Sequence, residues 1–320
     1  MATAQATDKN PGELKDVPGW FPPLDQTLFT WFLERQETRG FGGDLVELGA
    51  YLGKSAILLG HHRQDGEEFT VCDLFGGEAP DGANRAETAK SYSSLTRQAF
   101  ERNYLAFHDN LPTVIEAPTS VISKEVGADS CRFVHIDASH LYEHVHDDIG
   151  AARDLLLPDG IVVLDDFRSE HTPGVSVATW EAVLNRGLRP ICLSTQKLYG
   201  TWGDPEPVQE ELLTMLRDRT DVGLSVQEAA GHRLVRTRAH KGMQSPPFPH
   251  SRYHTGPERP KPSTPAAHAP AATPRRPRSR ARRIGVDLLP PIVTRALRRA
   301  LASDAQGAPG RAAAPGRATR

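Results

Sequence analysis

The chain has 320 residues, with 38 Lys+Arg against 40 Asp+Glu and a formal net charge of −2. That near-neutral total hides a split: residues 241–320 carry 16 Lys+Arg and 3 Asp+Glu, a net of +13, whereas residues 1–240 carry 22 and 37, a net of −15. No run approaches the roughly 18 apolar residues of a membrane span, and the polar first 15 residues lack the apolar stretch of a secretory signal. Three scattered cysteines, Cys72, Cys131 and Cys192, suit neither a zinc ribbon nor a disulfide framework; buried thiols in a cytoplasmic protein are the plain expectation.

Residues 1–17 read as a disordered lead-in. Residues 25–39 put Leu28, Trp31 and Phe32 on one helical face and stop at Gly40. From there apolar runs of strand length alternate with helical stretches. Strands are predicted at 44–48, 69–74, 113–116, 132–137 and 161–165. Helices are predicted at 55–62, 92–107, from 120 to 125, and at 142–157, where Pro158-Asp159-Gly160 ends the last of them. The run IVVLD at 161–165 is apolar on both faces, as a central parallel strand should be. A helix follows at 176–186, strands near 189–193 and 197–202, a helix at 208–219, and two last strands near 224–227 and 232–237. Repeated β-α-β units with short connections argue for an α/β domain over 18–240, its parallel sheet doubly wound. In such sheets ligands bind beyond the carboxyl ends of the strands.

Three strand ends carry candidate chemistry. The first strand runs into Glu47-Leu48-Gly49-Ala50-Tyr51-Leu52-Gly53-Lys54-Ser55. Two glycines in a strand-to-helix turn let the backbone approach a ligand, and the helix start behind them offers free N–H groups. The spacing is not that of a dinucleotide fingerprint. It also misses a phosphate loop by one residue, because three rather than four residues separate Gly49 from Gly53. Asp73 ends the second strand, 24 residues past Gly49, where an acidic side chain can accept hydrogen bonds from ribose hydroxyls; a solvated loop Asp is the bland alternative.

The densest constellation runs from Arg132 to Phe167. Asp137 ends the fourth strand, and Asp165 and Asp166 end the fifth. If these strands are neighbours, three carboxylates converge, which is costly unless a cation or protons compensate. Such oxygen ligands suit Mg²⁺, Mn²⁺ or Ca²⁺. His140 lies at the same rim, placed to act as a base. A helix cap or turn is the alternative for Asp165-Asp166. His135, inside its strand, reads as a packed core residue. His144 and His146 read as helix-face residues, solvated or paired with Asp147 and Asp148.

These motifs together resemble a known family. The succession VELGAYLGKSAILL, Asp73, HIDASHLYEHVHDDI and LLLPDGIVVLDDF is similar to class I S-adenosylmethionine-dependent methyltransferases, in the branch of macrocin O-methyltransferase-like and cephalosporin-hydroxylase-like proteins. The likeness spans roughly residues 25–205. It implies a Rossmann-like, mostly parallel seven-stranded sheet with helices on both faces. It places Glu47, Gly49, Gly53 and Ser55 on the cofactor turn and Asp73 at the ribose. It makes Asp137, Asp165 and Asp166 magnesium ligands and gives His140, with Asp137, the catalytic role. The chain departs from the family pattern in having Asp165-Asp166 where Glu-Asp is frequent, Ala138-Ser139 before His140 where a glycine is frequent, and Glu116-Ala117-Pro118 after the third strand.

The activity implied is Mg²⁺-assisted transfer of a methyl group from S-adenosylmethionine to a hydroxyl of a small molecule, such as a sugar or glycosylated natural product. The competing reading is a nucleotide-hydrolysing enzyme, whose phosphate-loop and acidic-strand signatures the chain imitates. Acceptor specificity is expected from the segments 76–91 and 167–175 and from the first helix. Homo-oligomerisation stays open. The segment 241–320 holds 14 of the 26 prolines and reads as disordered, with a short basic amphipathic helix expected at 291–302. Contact of this segment with nucleic acid or an anionic membrane is the alternative to a solvated extension.

Overall fold

The computed structural model describes residues 10–77 and 95–256, which fall within one compact unit. Strand β1 (Asp44–Leu48) is the axis of the sheet. It pairs in parallel with β2 (Phe69–Asp73) on one side and β4 (Cys131–Ile136) on the other. Strand β3 (Thr113–Glu116) extends the sheet beyond β2, and β5 (Leu156–Leu164) beyond β4, both parallel. The chain therefore leaves β1 in one direction and, after β3, resumes on its other side. The switch point lies between β1 and β4, where ligands bind in open α/β sheets.

Period-2 alternation sends neighbouring strand residues to opposite faces. Leu45, Val71, Phe133 and Val163 face one core; Val46, Cys72, Val134 and Val162 face the other. The first core is covered by α1 (Pro23–Thr38), α2 (Lys54–His61) and α3 (Arg97–Leu105), through Leu28, Phe29, Phe32, Ile57 and Phe100. The second lies under α4 (Ile122–Glu125), α5 (Tyr142–Leu155) and α6 (Pro173–Asn185), through Ile122, Ile149 and Ala178. The expected α/β sheet with helices on both faces is present. All three cysteines are buried, and burial pushes the Cys72 thiol up to about 12.

Four expectations are corrected. The sheet has nine strands, not seven, in the order β3-β2-β1-β4-β5-β7-β6-β9-β8. Strand β7 (Leu198–Thr201) runs antiparallel between β5 and β6 (Arg189–Leu193), and α7 (Glu206–Arg217) follows. The hairpin of β8 (Val222–Ala229) and β9 (His232–Ala239) then joins the same sheet, because β9 pairs in parallel with β6. Strand β5 starts at Leu156, before the Pro158-Asp159-Gly160 turn. Leu156 pairs with Cys131 and Ile161 with Phe133, so the residues between form an irregularity, with Asp159 at φ 66°.

The lead-in expected to be disordered is ordered from residue 10, with Leu14 and Val17 buried. Its partner is the segment expected to begin the disordered tail: Ser251 donates from its backbone N–H to the Gly12 carbonyl (3.0 Å) and from Oγ to that of Pro11 (2.5 Å). Met243 and Ser251 are buried as well. Residues 257–320, with the helix expected at 291–302, and most of the segment 76–91 lie outside the described residues. Among the described residues no helix is long and apolar enough to cross a membrane.

One buried ion pair ties the start of β4 to the residues before β2, with α1 beside it. Arg132 is fully buried; its Nε and Nη2 donate to the Glu67 carboxylate at 2.8 and 2.9 Å, and Nη1 donates to Gln36 Oε1 at 3.0 Å. Burial works to raise the Glu67 carboxyl, but the Arg132 guanidinium and the N–H groups of Gln64 and Gly43 outweigh it and hold it below its ordinary value. A depressed carboxyl stabilises the fold above its unfolded-state pKa, and that contribution is lost as pH falls through the lower folded value. Glu67→Ala leaves a buried guanidinium without its counter-charge. It is expected to cost about 3–5 kcal/mol in urea denaturation at neutral pH, whereas a Glu67→Leu/Arg132→Met double variant recovers most of that loss.

Candidate active site

The turn after β1 is built by glycine. Gly49 sits at φ 83°, and a Cβ there would lie 2.2 Å from the Asp137 carbonyl oxygen and 2.6 Å from Ala138 Cα. The chain leaving β4 thus presses directly on the turn leaving β1, and only glycine admits it. Gly53, at φ 90°, is the N-cap of α2, and a Cβ there would meet the Phe100 ring at 3.0 Å. Ser55 is the second residue of that helix, whose first N–H groups have no intrahelical partner.

Asp73 closes this turn from β2. Its Oδ2 accepts from the N–H groups of Ala50 (2.7 Å) and Tyr51 (3.0 Å), and its Oδ1 from Phe75 (2.7 Å). Burial pushes its carboxyl up, against these three hydrogen bonds. Glu47 takes a different place from the one expected. It lies within β1, opposite His135 in the register, with Oε1 2.8 Å from His135 Nδ1 and both side chains buried. His135 is the packed core histidine its strand position suggested. Lys54, which mimics a phosphate-loop lysine in sequence, donates to the Gly19 carbonyl at 3.3 Å.

The rim beyond β4 and β5 gathers three of the expected residues. Asp137, His140 and Asp166 hold their ligating atoms within 4.8 Å of one another. Asp166 reaches this position through a left-handed backbone, φ 53°, which turns its carboxylate off the line of β5. His140 Nε2 lies 3.0 Å from Asp166 Oδ2, and Ser169 Oγ donates to Asp166 Oδ1 at 2.5 Å. Burial tends to raise the Asp166 carboxyl, yet these hydrogen bonds leave it below its ordinary value. Burial raises that of Asp137, which Lys197, His135 and His140 oppose and Asp166 reinforces.

Asp165 lies outside that cluster but forms a second one with Asp137 and His135, their ligating atoms also within 4.8 Å of one another, so Asp137 is shared between two groups. Asp165 Oδ2 pairs with the Lys197 ammonium, and its Oδ1 accepts from the Asp166 N–H at 2.7 Å. Lys197 is the site residue that sequence reading missed. Its side chain is 2 % exposed and feels the carboxylates of Asp137, Asp25 and Glu47 as well. It precedes β7 in a short turn, TQKLYG, with no motif around it. The one signal was a lone lysine at the edge of an apolar strand. Nearby Tyr199 donates to Asp25 at 2.7 Å, tying β7 to α1.

Residues 46–167 match the family model described as a methyltransferase domain. That segment contains every site residue named above except those of Lys197, Tyr199, Asp25, Ser169 and Gly19. The chain thus contains a methyltransferase domain over that segment. Solved structures similar to it include the O-methyltransferase NovP, 19 % identical, covering 56 % of this chain and 81 % of that one at a TM-score of 0.46. CalS11, a TDP-rhamnose 3'-O-methyltransferase of calicheamicin biosynthesis, is 17 % identical over 57 % of this chain and 82 % of its own, at a TM-score of 0.39. The O-methyltransferase TomG from Streptomyces achromogenes, involved in tomaymycin synthesis, is 15 % identical over 68 % and 77 %, at 0.32. No curated protein matches the chain.

Proposed function

We propose that this enzyme methylates a hydroxyl group of a small molecule, a sugar or glycosylated natural product, with a divalent cation such as Mg²⁺ at the rim of β4 and β5. The observation that carries this reading is the Asp137–His140–Asp166 cluster standing against the Gly49 turn. The cluster's two carboxylates fit a hard divalent cation that keeps water in its remaining positions. Asp137 and Asp166 would hold the ion; Asp165, already neutralised by Lys197, would not. Bound there, the cation would lower the pKa of an acceptor hydroxyl, as it does for water.

The protein's own residues supply the rest. The start of α2 offers backbone N–H groups to the cofactor, and the turn before it is held in shape because the N–H groups of Gly49, Ala50, Tyr51 and Gly53 donate to Cys72, Asp73 and Ala50. In the transfer the acceptor oxygen forms a bond to the methyl carbon, the sulfur–methyl bond breaks, and the hydroxyl proton passes to His140. The Asp166 carboxylate, 3.0 Å from His140 Nε2, stabilises the imidazolium that results. Holding acceptor and methyl group in line accounts for much of the remaining acceleration.

The test is transfer of radiolabelled methyl from S-adenosylmethionine to a panel of nucleoside-diphosphate sugars and glycosylated aglycones, with and without EDTA. No transfer to any hydroxyl-bearing acceptor would overturn the acceptor class, and full turnover in excess EDTA would remove the cation. Binding of Mn²⁺ separates the ligands. Asp166→Asn and Asp137→Asn are each expected to weaken it about 100-fold in calorimetry, about 2.7 kcal/mol. Unchanged Mn²⁺ affinity in both variants would remove these residues from the metal site.

A further inference from the structure

A second cluster of metal-ligating groups lies where the two ends of the described chain meet. Glu13, His250 and His254 place one ligating atom each within 4.8 Å of one another. Glu13 Oε1 stands 4.0 Å from His254 Nδ1, too far for a hydrogen bond. Two ligands of one tetrahedral zinc ion, each at about 2.0–2.1 Å, are about 3.3 Å apart. With one ring of the stacked His250–His254 pair turned about its Cβ–Cγ bond so that both lone pairs aim at a shared point, shifts of about an ångström per side chain bring this set onto one ion.

The backbone that carries these side chains is pinned. Ser251 fixes the loop between the histidines: it bonds to Gly12 and Pro11 as described above, while its carbonyl accepts from the His254 N–H (3.1 Å) and its Oγ from the Tyr253 N–H (3.0 Å). Arg252, between them, donates to the His108 carbonyl and to Asp109. On the other segment the N–H groups of Gly12 and Glu13 both donate to Asp16 Oδ2, at 3.1 and 2.8 Å. The two imidazole rings are stacked, 3.8 Å between centroids. Glu13 Oε2 is held by Lys15 at 2.7 Å, a bridge whose lysine is 74 % exposed. A bridge that exposed contributes little and yields readily to a stronger cation.

We propose that Glu13, His250 and His254 form a zinc site, separate from the methyl-transfer site, that clasps residues 250–254 onto residues 10–16. Two imidazoles and one carboxylate are the donor set of zinc rather than of magnesium. A water molecule completes the tetrahedron. The clasp joins positions more than 230 residues apart in sequence, so zinc binding adds directly to the stability of the folded chain.

The test uses the full-length chain, carrying no histidine tag, in excess Mg²⁺ to fill the site at β4 and β5. Calorimetry with Zn²⁺ is expected to show one tight site, and Co²⁺ in its place the visible absorption of a tetrahedral ion. The His250→Ala/His254→Ala variant is expected to bind zinc at least about 100-fold more weakly, and Glu13→Gln about 10-fold. Both retain wild-type affinity for S-adenosylhomocysteine. Saturating zinc is expected to raise Tm by about 5 °C in the wild type and not in the histidine variant. The Asp137→Asn/Asp166→Asn variant keeps the zinc site. Unchanged zinc affinity in the histidine variant, or loss of zinc from the aspartate variant, would overturn the assignment. An octahedral Co²⁺ spectrum would do the same.

Discussion

His140→Ala is expected to lower the rate of methyl transfer by about 10²–10⁴-fold, the usual worth of a positioned general base, with S-adenosylmethionine affinity changed by less than about threefold. The expectation rests on geometry. His140 stands at the β4 rim, with Nε2 held by Asp166 at 3.0 Å and its loop backed by Gly174 of α6, where a Cβ would meet the His140 carbonyl at 2.5 Å. The ring is thus fixed in place beside Asp137, whose backbone touches the Gly49 turn. Rate against pH separates a base from a merely structural residue. The wild type should lose activity as acid protonates the imidazole, and the variant should lack that limb. A variant with wild-type turnover removes His140 from the chemistry. If Mn²⁺ affinity falls with turnover and the acid limb survives, His140 is a metal ligand instead of the base.

Lys197→Met should have the largest effect on stability at the site, about 3–5 kcal/mol, a substantial share of the roughly 5–15 kcal/mol of a typical domain. The ammonium is nearly sealed from water, and it is the direct counter-charge of Asp165, itself 8 % exposed. Burial pulls the lysine's pKa down, and the carboxylates of Asp137, Asp25 and Glu47 pull it up. Without the ammonium, Asp165 keeps the Asp166 N–H and a His135 Nε2 at 3.9 Å, too little to replace the water it lost on folding. The urea midpoint reads the loss. Removing both charges with Lys197→Met/Asp165→Leu should restore most of it, because an apolar pair of similar volume is often as stable as a buried ion pair. A single variant within about 0.5 kcal/mol of the wild type would show that the pair is not a counter-charge at all.

The departure from the family's frequent Glu-Asp acquires a physical reading from this pair. The first of the two acidic residues, Asp165, is bound to lysine and the second, Asp166, faces the rim. The two positions are adjacent in sequence yet point into different surroundings, because the left-handed backbone at Asp166 turns them apart. A pattern of letters cannot separate them, since both are aspartates at a strand end.

What the amino-acid sequence determined by itself is what short-range physics encodes. Alternating apolar runs and helical periodicity marked β1 to β4 and their helices to within a few residues. The glycine pair marked the turn after β1, and Asp137, His140 and Asp166 were legible because strand ends in a doubly wound sheet face one edge. The tertiary structure alone decided the rest. Lys197 meets Asp165 across 32 positions, Glu47 meets His135 across 88, Arg132 meets Gln36 across 96, and Ser251 meets Pro11 across 240. Each pair joins groups whose local sequence is unremarkable. Burying a charge or a polar atom demands a partner, but nothing in the demand says where along the chain that partner sits. The same reason hid the ordered lead-in and the place of the eighth and ninth strands in the one sheet: each is stabilised by a neighbour that only the folded chain brings near.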